Sequence, residues 1–439
     1  HNHHVSGKPQ HNALFLGIDI GTSGVRIVAI DAQAELIAAA ATPLPIPHQQ
    51  QGYIEQDPQL WWQAFEQTLN TLASSIELAR VSAIAVDGTS GTVLLADRQG
   101  QPLHPALMYN DRRATAEAQL LTGLAPADSP VLSASSGLAK LLWLNQQPYS
   151  KEARFFLHQA DWITGKLGNA FGISDSNNAL KSGYDPIKQC WPEWLDKLPI
   201  ERNGLPQVKT PGTAIGTVSA EIAQRYGFKP STRLVAGTTD STASFIATGA
   251  NQPGDAVTIL GSTLVLKILS EQPVFAKEYG IYSQPLGKWW LCGGASNSGG
   301  AVLKRFFSDE QLQSMTAELQ PDQPTGLDYY PLPSPGERFP INDPHYAPRL
   351  SPRPENDVLF FQGILEGIAQ IELQGYQRLA QLGAPYPQRI LTAGGGSVND
   401  RWTTLRANML KVPVVKAPHQ EAAYGVACLA LNAMTQQGE

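Results

Sequence analysis

The start of the chain alternates short apolar runs with turns rich in glycine and hydroxyl side chains. Residues 14–20, 25–30 and 36–41 are mainly apolar, and Gly21-Thr22-Ser23-Gly24 separates the first two runs. Apolar runs of this length, joined by short polar turns, predict β-strands arranged in antiparallel hairpins.

A helix is predicted after these strands. Asp57 is a suitable N-cap and Pro58 suits the first helical position. Apolar side chains then recur at helical spacing, at Trp61, Phe65, Leu69 and Leu72. A buried strand at residues 81–86 follows and ends at Asp87-Gly88.

The opening pattern occurs again about 240 residues later. Residues 257–260 are apolar, Gly261-Ser262-Thr263 forms the turn, and residues 264–269 return as a strand. An internal duplication of this kind predicts two similar domains that face each other.

The remaining pattern predicts the other elements less regularly. We expect a mostly helical region at residues 114–198, a strand at 233–236, loops at 320–356, a helix at 360–382, a strand at 389–392 and a closing helix at 421–434.

Composition narrows the class of protein. A chain of 439 residues with 42% hydrophobic and 16% charged residues fits two globular domains. The net charge of -6 does not favour binding to nucleic acid, so an anionic ligand must be held by local donors and a metal ion.

No apolar run in the sequence approaches the length of a membrane span. Three distant cysteines, Cys190, Cys292 and Cys428, indicate a reducing compartment, so we expect a cytoplasmic protein.

The two glycine-hydroxyl turns are candidates for binding phosphate. Glycine allows a phosphate to approach the backbone, and exposed N–H groups and hydroxyls donate to it. A single turn of this kind favours a plain hairpin, whereas two matched turns in a duplicated chain favour a clamp on one triphosphate.

Two aspartates stand out against their apolar surroundings. Asp19 lies inside an apolar strand, where it either accepts from the turn's own N–H groups or binds Mg²⁺ through water. Asp240 ends a strand-like run, where it is either a helix N-cap or the general base of a phosphoryl transfer.

Two further features concern nucleotide binding and hydrolysis. Gly394-Gly395-Gly396 after a strand suits the backbone contact of an adenosine site, and Trp402 nearby is either core or a stacking partner for adenine. The segment Gly88-Thr89-Ser90-Gly91-Thr92 lacks the final glycine of a nucleophile elbow, so hydrolase chemistry is disfavoured.

Taken in order, these motifs resemble those of the FGGY carbohydrate kinases from about Leu14 to Met434. The matching segments are residues 17–23, the first phosphate motif; 53–58 followed by Trp61-Trp62; the sugar segment 110–113, with Tyr109 where tryptophan is common; 140–143, the first signature; 237–240, with the catalytic aspartate; 261–263, the second phosphate motif; 366–369, the second signature; and 394–397, the adenosine motif.

The resemblance implies an α/β fold of two ribonuclease-H-like domains of the actin-like ATPase type, with ATP and a sugar in the cleft between them. The expected segments are a tag-like stretch at residues 1–11, domains at 12–246 and 247–420, and a C-terminal helix within 421–439 that packs back on the first domain.

The resemblance also assigns roles by position. Asp240 is the implied catalytic base in a transfer from MgATP to a sugar hydroxyl. The implied sugar contacts are Asp19, Ser90, Asp111 and Asp240, and the implied Mg²⁺ contacts are Asp19, through water, and Asp240. The implied ATP-binding residues are Gly21, Thr22, Ser23, Gly261, Ser262, Thr263, Gly395, Gly396, Asn399 and Trp402.

The resemblance implies a small ketose as the substrate. Xylulokinases typically carry a Gly-Gln-Met-His-Gly loop where this chain has Asp-Gly-Thr-Ser-Gly-Thr at residues 87–92. The chain looks most like compact family members that act on D-ribulose. We therefore expect phosphorylation of D-ribulose at O5, with D-xylulose as the alternative, by a monomer or homodimer with no nucleic-acid or membrane partner. A non-catalytic, ATP-gated sensor of the same architecture is the alternative from another class.

Overall fold

The structure is a computed structural model that describes residues 12–435, and these residues divide into two compact units. Unit 1 contains the chain up to Ala247 and the segment from Glu421 onwards, and unit 2 is Thr248–Gln420. The tag-like stretch at residues 1–11 and residues 436–439 lie outside the described residues. Within 12–435, no helix combines the length and the apolar character needed to cross a membrane.

The chain forms 21 strands and 12 α-helices within the described residues. The strands are β1 Leu14–Ile20, β2 Gly24–Ile30, β3 Leu36–Pro43, β4 His48–Gln50, β5 Tyr53–Gln56, β6 Val81–Gly88, β7 Val93–Ala96, β8 Ala106–Leu107, β9 Phe155–His158, β10 Ile173–Asp175, β11 Gln207–Lys209, β12 Ala214–Thr217, β13 Arg233–Thr239, β14 Asp255–Leu260, β15 Leu264–Ser270, β16 Phe275–Ala276, β17 Ile281–Tyr282, β18 Gln284–Leu286, β19 Trp289–Ser296, β20 Arg389–Ala393 and β21 Val414–Lys416. The α-helices are α1 Pro58–Ala73, α2 Thr115–Thr122, α3 Gly137–Asn145, α4 Gln159–Gly168, α5 Ser176–Leu180, α6 Ala220–Tyr226, α7 Asp240–Ala247, α8 Gly300–Lys304, α9 Asp309–Thr316, α10 Asp357–Gln381, α11 Asp400–Leu410 and α12 Ala422–Thr435.

The main sheets of the two units share the topology of five of their six strands. In unit 1 the strand order is β12-β13-β6-β1-β2-β3, and in unit 2 it is β18-β19-β15-β14-β20-β21. The five shared strands are three successive antiparallel strands and two strands parallel to the first of them. The sixth strand is antiparallel to its neighbour and differs in place: β12 lies beside β13, and β18 lies beside β19. The duplicated α/β architecture predicted from the repeated strand–turn–strand pattern is therefore confirmed.

Helix α12 packs on the main sheet of unit 1 and against α7. Two glycines permit this close approach. A Cβ atom on Gly17 would lie 2.0 Å from the carbonyl oxygen of Ala423, and one on Gly425 would lie 1.7 Å from that of Ala243. Since no side chain fits at either position, the glycines fix α12 beside the helix that begins at Asp240.

The opposite face of the same sheet is covered mainly by α1 and α4. Trp61 and Trp162 are fully buried there, with ring centroids 6.1 Å apart in an edge-to-face arrangement. Helix α1 begins as predicted, because the Asp57 side chain accepts from the backbone N–H of Gln59 and Pro58 is the first helical residue.

Unit 2 is fastened by a buried ion pair between its helices and its sheet. Arg406 of α11 donates to both carboxylate oxygens of Glu372 on α10, each at 2.7 Å, and both side chains are fully buried. Arg406 also donates to Thr392 of β20, and Thr258 of β14 donates to Glu372. The network therefore joins both helices to the adjacent strands β14 and β20.

Some sequence-based expectations were wrong in detail. The region 114–198 is less helical than expected, because α2–α5 are separated by short 3-10 turns and by the strands β9 and β10. A five-stranded antiparallel sheet in the order β4-β5-β8-β7-β9 was not predicted. The 320–356 segment is confirmed as loops, with only isolated bridges such as that between Glu337 and Asp343.

Candidate active site

Three aspartates of unit 1 lie where neighbouring strands of the main sheet end. In the parallel pair of β1 and β6, Asp19 stands opposite Asp87. In the parallel pair of β13 and β6, Thr238 stands opposite Asp87, and Asp240 follows two residues later as the first residue of α7. The carboxyl ends of parallel strands meet at one sheet edge. The fold therefore gathers Asp19 and Asp240, which the sequence singled out, and adds Asp87, which it did not.

Burial raises the pKa values of two of these carboxyl groups. For Asp19 burial is the main cause of the raised pKa, and nearby Arg26 opposes it. The pKa of Asp87 is held well above its usual range by complete burial, then by the charges of Asp19 and Asp240. Oδ1 of Asp19 and both carboxyl oxygens of Asp87 lack a hydrogen-bond partner among the described residues. Burial and the neighbouring carboxylates therefore disfavour a negative charge on Asp87 more strongly than on Asp19.

Asp240 is half-buried at the N-terminus of α7. Its Oδ1 accepts from the backbone N–H of Ser241 at 2.8 Å. The exposed N–H groups at the start of a helix favour a negative charge, so this position favours the ionised carboxylate. A helix-terminal contact and an accessible carboxylate thus coexist at Asp240.

The predicted sugar contact Ser90 lies in a tight turn that we call the 89–92 loop. Thr92 donates its backbone N–H to the carbonyl of Thr89, and the hydroxyls of these two residues are 2.5 Å apart. Gly91 has a φ of +86°, a conformation that favours glycine. The loop leaves Ser90 partly exposed, whereas Thr89 and Thr92 are buried.

The predicted sugar contact Asp111 is fully buried and already bonded within the protein. Its oxygens accept from the Arg113 guanidinium at 2.8–3.1 Å and from the backbone N–H of Ile54 at 2.7 Å. Arg113 in turn pairs with Glu55 and lies over the rings of Tyr53 and Trp143. In this arrangement Asp111 orders the segment next to it, and both of its oxygens are engaged by Arg113 and the Ile54 N–H.

The two glycine-hydroxyl turns have the predicted hairpin form, one in each unit. In unit 1, Gly21 donates its N–H to the carbonyl of Gly24, and the side chains of Thr22 and Ser23 are exposed. Because the Gly21 N–H donates within the turn, it does not donate to the Asp19 carboxylate as one of the two alternatives for Asp19 required.

In unit 2, the turn of Gly261, Ser262 and Thr263 is joined to the start of α8. Gly300 and Ala301 donate their N–H groups to the carbonyls of Gly261 and Ser262. A Cβ atom at Gly299 would lie 2.5 Å from the Ser262 carbonyl oxygen, so glycine is required for this close approach. The backbone of the second turn is thereby fixed.

The residues predicted to bind adenosine line one cavity of about 590 Å³ in unit 2. Gly395, Gly396, Asn399 and Trp402 contribute to its wall together with apolar residues such as Phe361. A Cβ atom on Gly395 would meet no atom within 4 Å, whereas one on Gly396 would lie 2.8 Å from the Trp402 ring. Gly395 therefore borders open space and Gly396 packs on the tryptophan.

Trp402 is a wall of this cavity rather than an exposed platform. Only 4% of its surface is exposed, and its Nε1 donates to the carbonyl of Leu365 at 3.2 Å. Asn399 caps α11 by accepting from the backbone N–H of Trp402. Trp402 is therefore a core residue that also borders the cavity, and its stacking on adenine stays a prediction.

The residues that could hold Mg²⁺ are the carboxylates of the strand-end cluster. Across residues 12–435, no three His, Cys, Asp or Glu side chains form a group able to hold a metal alone. Magnesium in phosphoryl-transfer sites keeps several waters and uses one or two carboxylates plus substrate phosphates. The unpartnered Oδ1 of Asp19 is a ligand of this kind, so the residues present fit such an ion.

The sequence missed a buried polar network behind the cluster. Asp175 caps α5, and burial raises its pKa to about 7. Asn178 links Asp175 to the backbone carbonyl of Thr238, two residues before Asp240. A polar run before a short helix, as at residues 174–178, is the only sequence signal that could have indicated it.

Family models match nearly all of the described chain. The N-terminal domain of the FGGY family of carbohydrate kinases matches residues 14–247, and the C-terminal domain matches residues 256–434. The chain is 25% identical over 415 residues to a xylulose kinase of Escherichia coli, covering 90% of this chain and 84% of that protein.

Solved structures share the fold. A xyloylose kinase from Brucella ovis superposes with a TM-score of 0.85 at 26% identity, over 96% of this chain and 90% of that one. A gluconate kinase from Lactobacillus acidophilus reaches 0.82 at 21% identity, over 97% and 90%, and this likeness concerns the fold alone.

These matches favour an enzyme over the non-catalytic, ATP-gated sensor that was the alternative class of protein. Both halves of the chain correspond to the two domains of one enzyme family, in the family's order. The chain belongs to the FGGY family of carbohydrate kinases and is a phosphotransferase that acts on a carbohydrate.

Proposed function

We propose that this kinase transfers the γ-phosphoryl group of ATP to the C5 hydroxyl of a ketopentose, with Asp240 as the general base. The observation that carries the proposal is the cluster of Asp19, Asp87 and Asp240 at the carboxyl ends of neighbouring strands in the main sheet of unit 1. Phosphoryl transfer needs a carboxylate that accepts the proton of the attacking hydroxyl and neighbouring groups that hold the donor in position.

Each group in the cluster has a distinct task in this proposal. Asp240 is half-buried at the start of α7, and in this proposal its carboxylate accepts the hydroxyl proton and orients the oxygen for attack. Asp87 is the carboxyl group whose charge burial disfavours most, because complete burial and the charges of Asp19 and Asp240 raise its pKa. Bound Mg²⁺ would offset charge on the transferring group, and Asp19 is the residue that would hold it through water.

The nucleotide residues of the proposal follow the motifs. The cavity bordered by Gly395 and Asn399 takes the adenosine of ATP, where an open glycine surface admits a flat ring. Exposed hydroxyls and backbone N–H groups at Thr22, Ser23 and Ser262 bind phosphate oxygens.

D-Xylulose is the leading substrate of the proposal and D-ribulose the second. The E. coli relative is named a xylulose kinase, and so is that of Bacillus subtilis, at 24% identity over 94% of this chain and 87% of that protein. This favours the alternative over the D-ribulose expected from sequence. The Thr89-Ser90 segment, in place of a Gln-Met-His loop, is the observation that keeps D-ribulose as a candidate.

A substrate panel tests the proposal. ADP release is measured with D-xylulose, D-ribulose, L-ribulose, xylitol, gluconate, glycerol and no sugar, and ³¹P NMR identifies each product. We expect the highest kcat/KM with one of the two D-pentuloses and a 5-phosphate product. Turnover with gluconate or glycerol alone, or ADP release without a phosphorylated sugar, would contradict it.

A further inference from the structure

The 89–92 loop is held by one buried side chain from a distant part of the chain. Gln159, the first residue of α4, is fully buried. Its Oε1 accepts from both the backbone N–H and the hydroxyl of Thr89, each at 2.9 Å, and the backbone N–H of Gln159 donates to the carbonyl of Thr92 at 3.1 Å. Gln159 thus bonds to both ends of the loop that carries Ser90.

These contacts determine how the Gln159 amide is oriented. Two donors converge on Oε1, so a flip that placed the amide nitrogen there would set donor against donor. Nε2 must therefore point away from Thr89, and it is buried with no hydrogen-bond partner among the described residues. A buried donor of this kind normally has a partner, so it is available to an oxygen that the described residues do not supply.

The position of Gln159 next to the strand-end cluster is set by Gly88. A Cβ atom on Gly88 would lie 3.1 Å from Oε1 of Gln159 and 3.0 Å from the backbone nitrogen of Ala160, so a side chain there would push α4 away. Gly88 stands opposite Thr239, the residue before Asp240, in the pairing of β6 with β13. Gln159 consequently lies at the same sheet edge as the proposed base.

We propose that Gln159 is a positioning residue that sets the 89–92 loop for the sugar and thereby controls which pentulose the kinase prefers. This inference rests on the proposed function. Oε1 holds Thr89, the backbone N–H of Gln159 holds Thr92, and Ser90 between them faces a pentulose hydroxyl, while Nε2 donates to a sugar oxygen or to a water that bridges to it. Polar sites of this type discriminate between sugars because a mismatched hydroxyl leaves the buried group unpaired.

The test compares three variants with wild type in steady-state kinetics on D-xylulose and D-ribulose. Gln159→Leu removes both roles of the amide. Gln159→Glu keeps an acceptor for Thr89 but removes the donor. Gln56→Leu is the matched control, because Gln56 is a buried glutamine of unit 1 whose amide bonds to Trp61 and Pro45 and not to the 89–92 loop.

We expect Gln159→Leu to raise the KM for the pentulose by about tenfold to a hundredfold, the loss of two or three hydrogen bonds, with the KM for ATP unchanged. Gln159→Glu should keep more of the affinity yet shift the D-xylulose to D-ribulose ratio of kcat/KM by at least about threefold. Gln56→Leu should change neither quantity, whatever it costs in stability.

Each other outcome overturns the inference. Pentulose KM and sugar ratio unchanged in both Gln159 variants would refute it while leaving the proposed function intact. Equal rises in the KM values for ATP and pentulose, or the same pattern in Gln56→Leu, would show that Gln159 contributes only to the stability of the fold. If the wild type phosphorylated no pentulose, the proposed function itself would fail.

Discussion

Replacing Gly425 by alanine should damage catalysis through the packing of two helices. The added Cβ atom would lie 1.7 Å from the carbonyl oxygen of Ala243, against an ordinary contact of about 3.4 Å. The obstructing atom belongs to the backbone and cannot rotate away. Helix α7 or α12 must therefore move by about 1.7 Å, the difference between these two distances. Helix α7 begins at Asp240, so the shift reaches the proposed base.

The magnitude follows from two opposing effects. Alanine in a helix gains about 1 kcal/mol over glycine. Overpacking typically costs about 1–3 kcal/mol and can cost more against a rigid backbone, so we expect net destabilisation. Misplacing a reacting group by about 1 Å can cost about a hundredfold in rate, so kcat should fall by at least that factor.

The assay measures kcat, both KM values and urea unfolding for Gly425→Ala beside a matched control. Gly123→Ala is suitable, because Gly123 ends α2 with a φ of -88° and its Cβ would meet its nearest neighbour at 3.8 Å. The control should behave as wild type. Wild-type turnover and stability in Gly425→Ala would refute the idea that this contact fixes the position of Asp240.

Three further outcomes are expected. Arg406→Met should cost about 3–5 kcal/mol in urea unfolding because it strands the buried Glu372 carboxylate, and adding Glu372→Leu should recover most of it; a loss under 1 kcal/mol would contradict this. Burial lowers the pKa of Lys140 to about 7, so between pH 7 and 10 the unfolded chain binds a proton at this lysine that the folded chain does not. The free energy of unfolding of the wild type should therefore rise from pH 7 to 10. Lys140→Met should lack this rise in urea unfolding, and the same pH dependence in the variant as in the wild type would exclude Lys140 as its cause. Gly395→Val should leave stability unchanged, because a Cβ atom at this position meets no atom within 4 Å. It should nevertheless raise the KM for ATP alone by about tenfold or more, and an unchanged KM for ATP would show that the nucleotide does not bind at Gly395.

Local pattern was sufficient for the sheets that form the two units. The strands β1, β2, β14 and β15 are short apolar runs with a glycine turn between partners that are adjacent in sequence. Their pairing is therefore decided locally, and the repeat of the pattern indicates the duplicated topology. The cap at Asp57 was predictable for the same reason.

The second sheet of unit 1 could not be predicted in this way. Its strands β5, β7, β8 and β9 are two to four residues long, and β9 pairs with β7 from about 60 residues away. Such short runs carry almost no periodic signal, so their pairing is decided by tertiary packing.

The site shows the same division. Asp19 was recognisable because it interrupts an apolar strand, and Asp240 because it ends one. Asp87 and Gln159 were missed, since the features that distinguish them are contacts made by distant segments. Asp111 was placed at the sugar by resemblance, and only the structure reveals that Arg113 and the Ile54 N–H occupy its oxygens.

Turnover of Asp240→Asn tests the central claim most directly. With D-xylulose or D-ribulose as acceptor, kcat should fall by about 10²–10⁴ because the amide cannot accept the hydroxyl proton, while the KM for ATP stays near wild type. Asp97→Asn is the matched control, since Asp97 only orders a turn by accepting from Gln99 and Gln101. Near wild-type formation of the pentulose phosphate by Asp240→Asn would contradict the account.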